Sequence, residues 1–263
     1  MADSLKINII GTGNLAWNMA EKLRHSRHKV VAVYGRNKRK ALEVAQINQS
    51  VSVSSLADLP AEVDLTLICL ADSIIPEIAS QLTFLKGIIA HTAGSLPLSV
   101  LKPAGDHVAV FYPLQSFTFG VKADWNGVWI CLESQQPDDL LILQNVASEL
   151  SQVYKVINSE QRQKLHLAAI FTANFTTYLQ SIAEDILIDS NISYDAMIPL
   201  LKGVCMKITE IGPKNSITGP AARGDLTTIN KHYELLSNHP EFQTLYQSLT
   251  NMIINQVRNK ELE

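Results

Sequence analysis

The stretch Lys6-Ile7-Asn8-Ile9-Ile10-Gly11-Thr12-Gly13-Asn14-Leu15-Ala16 constrains the fold more than any other part of the chain. A short apolar run ends in G-x-G-x-x-A and passes at once into a helical pattern, with Leu15, Ala16, Met19, Ala20 and Leu23 recurring on one face. Gly11 allows a sharp turn out of the strand, Gly13 lets the backbone approach a pyrophosphate, and Ala16 keeps helix and strand close. The helix N-terminus adds free N–H groups and a partial positive charge. A glycine turn alone is weak evidence. Set between a strand and a helix, this one predicts a dinucleotide site made of Gly11, Thr12, Gly13, Asn14, Leu15 and Ala16.

The second strand, Lys29-Val30-Val31-Ala32-Val33-Tyr34, leads into Gly35-Arg36-Asn37-Lys38-Arg39-Lys40, and no acid occurs between Lys29 and Leu42. An NAD site usually carries a carboxylate here for the ribose 2′-hydroxyl. Arg36 can instead pair with a 2′-phosphate through two parallel hydrogen bonds. Asn37 can add a donor or cap the next helix. The expectation is NADP(H); the alternative is a solvated, basic helix start.

Length and composition agree with a two-domain enzyme. The chain has 263 residues, 46% of them hydrophobic, and a net charge of −3, which excludes a strong nucleic-acid footprint. Charges interrupt every long apolar run, so no membrane span is expected. Met1 to Lys6 holds no apolar signal segment, which predicts a cytoplasmic protein. Cys69, Cys131 and Cys205 are far apart and read as reduced, buried thiols, with no metal site.

Up to about residue 158 strands and helices alternate. A helix from Lys38 to Gln46 and a weak strand at Val51-Ser52-Val53 precede Asp64 to Leu70, which is apolar on both faces like a central parallel strand. The end of that strand should lie beside the first glycine turn, so Leu70, Ala71 and Asp72 are expected in the cofactor cleft. Asp72 or Ser73 can also cap a helix from about Ile74 to Leu82. Gly87 to Ala90 forms the next strand and ends in His91-Thr92-Ala93-Gly94-Ser95, small residues suited to a loop beneath a nicotinamide. His91 either hydrogen-bonds cofactor or substrate or fixes the loop. The strand His107 to Phe111 ends in Tyr112-Pro113-Leu114-Gln115-Ser116-Phe117, where Pro113 should stop the ladder and turn Tyr112 and Gln115 into the cleft mouth as substrate contacts. Gly127 to Leu132, a helix from Pro137 to Leu150 and Val153 to Ile157 complete the sheet.

Beyond Asn158 the strand pattern ceases. A long helix is predicted from Glu160 to Ile188 with Ser159 as its cap, then helices over Tyr194 to Ile211, from Asp225, and from Pro240 to Val257. The fold class is therefore α/β: a Rossmann doubly wound sheet over 1–158, then an all-α substrate and dimerisation domain over 159–263.

The residues Gly11 to Ala16, His91 to Ser95, Tyr112 to Phe117, His166-Leu167-Ala168-Ala169 with Asn174, and Thr218 to Asp225 together resemble the 6-phosphogluconate dehydrogenase-like clan, which includes ketopantoate and pyrroline-5-carboxylate reductases. Within it they are similar to the Rossmann-like NADP oxidoreductases with a helical domain of unknown function. The resemblance spans nearly the whole chain and implies the fold, NADP and a homodimer, with a small-molecule substrate.

In the clan's hydroxyacid dehydrogenases a helical lysine moves the proton, with an asparagine one turn later. Asn174 matches that asparagine, but Ile170 stands at the lysine position. Lys164 is about 15 Å away along a helix and His166 about 12 Å, at 1.5 Å per residue. The catalytic candidates are thus Asn174 beside the reacting carbon, His166 near a remoter group, and Tyr178 as an alternative proton donor. In related reductases the loop matching Thr218 to Asp225 comes from the dimer partner, which would let Arg223 bind a substrate carboxylate; Asp225 alternatively only caps a helix. Loss of the lysine slightly favours an imine over a hydroxyacid, and equally allows a non-catalytic NADP-binding sensor or scaffold.

Overall fold

The computed structural model describes residues 4–188 and 190–260, in two compact units, Met1–Asn174 and Phe175–Glu263. The first is built on an eight-stranded sheet ordered β3-β2-β1-β4-β5-β6-β7-β8. Its strands are β1 (Lys6–Ile10), β2 (Lys29–Tyr34), β3 (Val51–Val53), β4 (Leu65–Ile68), β5 (Ile88–His91), β6 (Val108–Pro113), β7 (Trp129–Ser134) and β8 (Val153–Val156). Helices α1 (Asn14–Leu23), α2 (Lys38–Ile47), α3 (Ile75–Ala79) and α4 (Pro137–Leu150) belong to the same unit. All neighbouring strands run parallel except β6 and β7. No α-helix separates β6 from β7. Without a crossover helix the chain returns antiparallel.

The apolar residues of the central strands divide between two buried clusters. Ile7, Ile9, Leu65 and Leu67 pack with Met19 and Leu23 of α1 and Leu143 of α4, while Ile10 and Ile68 pack with Ile75, Leu82 and Leu101. Each such side chain contributes about 1.5–3 kcal/mol when fully buried, so the sheet is covered on both faces, as a parallel sheet requires.

Pro113 does not stop the ladder. It is the last residue of β6 and pairs with Ile130, and β5 pairs only with Val108 to Val110. The missing N–H therefore falls where β6 has no neighbour on its β5 side. Neither Asp72 nor Ser73 caps α3, whose N-cap is Ile74 with no side-chain bond.

The predicted long helix is divided into α5 (Ser159–Ala169), a π-helical segment Ile170–Phe175, and α6 (Thr176–Ile188). Its cap is Asn158 rather than Ser159. The Asn158 side chain accepts from the Gln161 N–H and the Gln161 side chain accepts from the Asn158 N–H, a complete capping box.

The second unit holds α6, α7 (Ile198–Ile211), the short α8 (Pro220–Arg223), α9 (Leu226–Leu235) and α10 (Pro240–Lys260). Within it, α10 packs on α8 and α9. Asp225 does cap α9, accepting from the N–H and hydroxyl of Thr228 at 3.1 and 2.7 Å. Cys69 and Cys131 are buried, but Cys205 is exposed, contrary to expectation, because its stretch of α7 is not covered by other described residues. Among the described residues no helix is long and apolar enough to cross a membrane.

Candidate functional site

The glycine turn is assembled by its neighbours. The Gly11 N–H donates to the Tyr34 carbonyl at 2.9 Å and the Cys69 N–H to the Ile10 carbonyl at 2.7 Å, which draws the ends of β1, β2 and β4 together. Gly11 has φ +131°, and a Cβ there would lie 2.1 Å from the Cys69 carbonyl oxygen. At Gly13 the opposite holds: a Cβ would meet nothing within 4 Å. Gly13 is the N-cap of α1, and no side chain caps that helix. The first N–H groups of a ten-residue helix thus open onto free space, the arrangement a pyrophosphate needs. The chain fits a dinucleotide at this point.

A cleft of about 470 Å³ opens over this turn. Gly13, Asn14, Leu15, Leu70, Ala71, Asp72 and Thr92 line it, together with Gly94, Tyr112 and His166. Asp72 accepts a hydrogen bond from the Ser95 hydroxyl, and Thr92 donates to the Ile68 carbonyl at 2.9 Å. The end of β4 is thereby tied to the loop after β5. Asn14 accepts from the Phe119 N–H at 3.2 Å. Asn18, wholly buried one turn on, bonds to both Thr118 and Ala123, so the loop between β6 and β7 is held on α1. Ala16 is buried against the core, and Thr12 lies against Gly35.

Arg36 is exposed just past the end of β2, and Asn37 caps α2 by accepting from the Lys40 N–H at 3.1 Å. His91 is fully buried, its Nδ1 accepting from the Ala93 N–H at 3.2 Å. Burial, reinforced by the Arg162 charge, holds its pKa down at about 3. It is therefore neutral, and its bond to Ala93 braces the start of the loop after β5.

A second cavity, of about 490 Å³, lies on the other side of Tyr112 and His166. Leu114, Gln115, Ser116, Leu165, Ile170 and Asn174 contribute to its lining. Residues eight apart in a regular α-helix are rotated by about 80°. The π segment that begins at Ile170 has more residues per turn and reduces that angle. His166 and Asn174 accordingly line the same cavity. Between the two cavities stands one pair: the Tyr112 hydroxyl lies 3.1 Å from His166 Nδ1, with the rings edge to face. Burial raises the Tyr112 pKa to about 12, so its hydroxyl keeps its proton. Gln115 is exposed at the rim of the second cavity. Tyr178 and Arg223 are exposed residues of the second unit.

Sequence reasoning missed the group that holds this pair in place. The Arg162 guanidinium is buried, pairs with Glu133 on β7, and donates to the Leu96 carbonyl. Ser159 donates to Glu133 at 2.9 Å and accepts from the Leu98 N–H at 3.0 Å, and Gln163 donates to the Ser95 carbonyl at 2.8 Å. The start of α5 is thus bolted to the loop after β5. Of the partners of Arg162, only Ser159, at 3.3 Å, is local; Glu133 and Leu96 lie far off in the sequence.

A turn of this kind on a doubly wound sheet is a dinucleotide-binding Rossmann site. Residues 5–85 match the oxidoreductase family with an NAD-binding Rossmann fold, and residues 128–253 match a domain of unknown function, DUF2520. Among solved structures, one named as a putative NADP oxidoreductase from Bacteroides fragilis is 34% identical, with 96% of this chain and 98% of that chain covered and a TM-score of 0.92. Protein TM1727 from Thermotoga maritima is 23% identical over 96% and 99% of the two chains, with a TM-score of 0.80. A 1-pyrroline-5-carboxylate reductase from Streptococcus pyogenes is 13% identical over 97% and 100%, with a TM-score of 0.65, a likeness of fold alone. No curated protein matches. The chain belongs to the family of Rossmann NAD(P)-binding oxidoreductases that carry the DUF2520 domain.

Proposed function

We propose that the protein is an NADP-dependent oxidoreductase that transfers a hydride between NADP(H) and a small molecule bearing a C=O or C=N bond. The observation that carries this reading is the Tyr112–His166 pair, which lines both the cleft at the glycine turn and the adjoining cavity. A nicotinamide bound in the first supplies the hydride chemistry. A substrate in the second then has Tyr112 and Gln115 as contacts and His166 and Asn174 beside the reacting group. Gly11 to Ala16, Leu70, Ala71, Asp72 and Thr92 hold the cofactor, with His91 supporting their loop, and Arg36 takes the 2′-phosphate while Asn37 caps the helix beside it. Tyr178 is the alternative proton donor, and Arg223 of a second copy is the ligand for a substrate carboxylate.

The same reading makes the protein a cytoplasmic homodimer, with residues 159–263 serving substrate and partner. In its support, Leu200, Met206, Leu235 and Met252 of the second unit are all more than 60% exposed. Apolar side chains exposed on these helices would be covered by a second copy.

Fluorescence titration with NADPH and NADH tests the cofactor. Arg36 has no ion-pair partner among the described residues, so Arg36→Ala should leave stability unchanged. It should weaken NADPH by about 10- to 100-fold, as loss of a charge-assisted hydrogen bond of about 1.5–3 kcal/mol implies, and leave NADH unchanged. Binding of neither nucleotide ends the reading. A second reading, a non-catalytic NADP sensor or scaffold, is favoured by Ile170 at the position where related dehydrogenases carry lysine. Turnover of any carbonyl or imine that His166→Gln abolishes decides against it.

A further inference from the structure

The proposed oxidoreductase leaves open whether the cavity beside His166 takes a hydrogen-bond acceptor or a donor, and the surroundings of the imidazole decide this. Its Cγ–Nδ1 side is closed. A Cβ on Gly94 would lie 2.6 Å from both Cγ and Nδ1 and 2.8 Å from Tyr112 Cζ, so only glycine permits the ring to sit where it does. Tyr112 Oη then reaches Nδ1 at 3.1 Å. Nε2, across the ring from Cγ, is not among the buried unsatisfied atoms and has no partner among the described residues.

A neutral imidazole carries one proton on one of its two nitrogens, and the hydrogen bond at one determines the state of the other. A phenol hydroxyl can donate or accept, but Nδ1 is the only acceptor in reach of the Tyr112 hydroxyl among the described residues, which directs the phenol proton to Nδ1 and makes that nitrogen the acceptor. We propose that Tyr112 is a positioning residue that keeps the proton of the His166 imidazole, in its neutral form, on Nε2, so that this ring offers the cavity a donor and suits a substrate whose reacting group is an acceptor. That class comprises a carbonyl oxygen or the lone pair of a neutral imine, whereas a protonated iminium has only an N–H to offer and would have to turn from His166 to an amide oxygen such as that of Asn174. A donor aimed at the developing negative charge stabilises it as hydride arrives at the adjacent carbon. The inference deepens the oxidoreductase reading and rests on it for the word substrate; the tautomer itself does not.

Two-dimensional long-range ¹H–¹⁵N spectra of the full-length protein labelled in histidine report the tautomer directly, with His166→Gln identifying the resonance. In the wild type the His166 pattern should be that of Nε2–H. In Tyr112→Phe it should move towards a mixture of tautomers. With NADPH present, cyclopentanone, an acceptor, should shift the His166 signals, and pyrrolidinium, a five-membered ring whose nitrogen only donates, should not. An Nδ1–H pattern in the wild type, an unchanged pattern in Tyr112→Phe, or an equal response to pyrrolidinium overturns the inference. Should Tyr112→Phe not fold, the wild-type pattern and the two probes decide. A failure of NADPH to bind strikes the oxidoreductase reading and leaves the tautomer measurement standing.

Discussion

The Arg162 guanidinium, on the first turns of α5, and the Glu133 carboxylate, on β7, form an ion pair with the arginine side chain wholly out of solvent. The pair joins the helix bearing His166 to the sheet bearing Tyr112, and through Leu96 to the loop bearing Gly94. It is the framework on which both cavities depend.

Removing one partner should therefore cost more than removing both. Glu133→Gln leaves a buried guanidinium without its counter-charge, which costs about 3–5 kcal/mol where a pair is buried. Glu133 keeps some exposure, so the lower end of that range is expected. The double change Glu133→Leu, Arg162→Met should be less destabilising than either single change. Urea denaturation of the three variants measures this.

Gly94→Ala tests the closeness of loop and helix. Overpacking of this kind costs about 1–3 kcal/mol, and the added methyl pushes the His166 ring off Tyr112. The melting temperature should fall, and the His166 resonance should lose its Nε2–H signature even though neither ring has been altered.

The two glycines of the turn should separate stability from binding. Gly11→Ala places a Cβ against the Cys69 carbonyl at φ +131° and should destabilise the fold. Gly13→Ala meets no atom and should leave the melting temperature almost unchanged. It should still weaken NADPH by about tenfold or more, equivalent to about 1.4 kcal/mol, because the methyl occupies space a pyrophosphate would enter. Equal loss of stability in both variants would contradict the open-cradle geometry.

Buried His91 makes stability pH-dependent. Its folded pKa, about 3, lies below the ordinary 6.5, so the unfolded chain binds the extra proton between these values. The contribution is complete above pH 6.5 and is lost as pH falls towards 3, by up to about 5 kcal/mol at 1.36 kcal/mol per unit. His28 shifts in the same direction. His91→Gln should flatten the acid limb in part, as read by thermal melts across that window.

Much of this could be read from residue order. The strand-turn-helix at Gly11, the apolar run of β4, the helices α2 and α4 and the Asp225 cap all follow from local periodicity and turn chemistry, which act within a few residues. Tyr112 is legible from its place at a strand end beside the cleft, and His166 from the resemblance of its helix to that of related reductases. Their hydrogen bond is not, since they lie 54 positions apart. Asn158 as the cap and the π segment at Ile170 were missed because Ser159 competes for the same role and because a π turn carries no composition signature.

By itself the order of residues determined that the chain would form a doubly wound sheet with a dinucleotide cradle at its first turn, followed by helices. Such features arise from backbone preferences and apolar spacing, which are properties of neighbours. Only the tertiary structure decided that Arg162 is buried against Glu133, that Gly94 must lack a side chain, and that His91 lies beneath the cleft while His166 faces it. Those outcomes depend on which distant groups share a dry space, and there the cost of an unpaired charge or an extra methyl is set by atoms that the sequence keeps far apart.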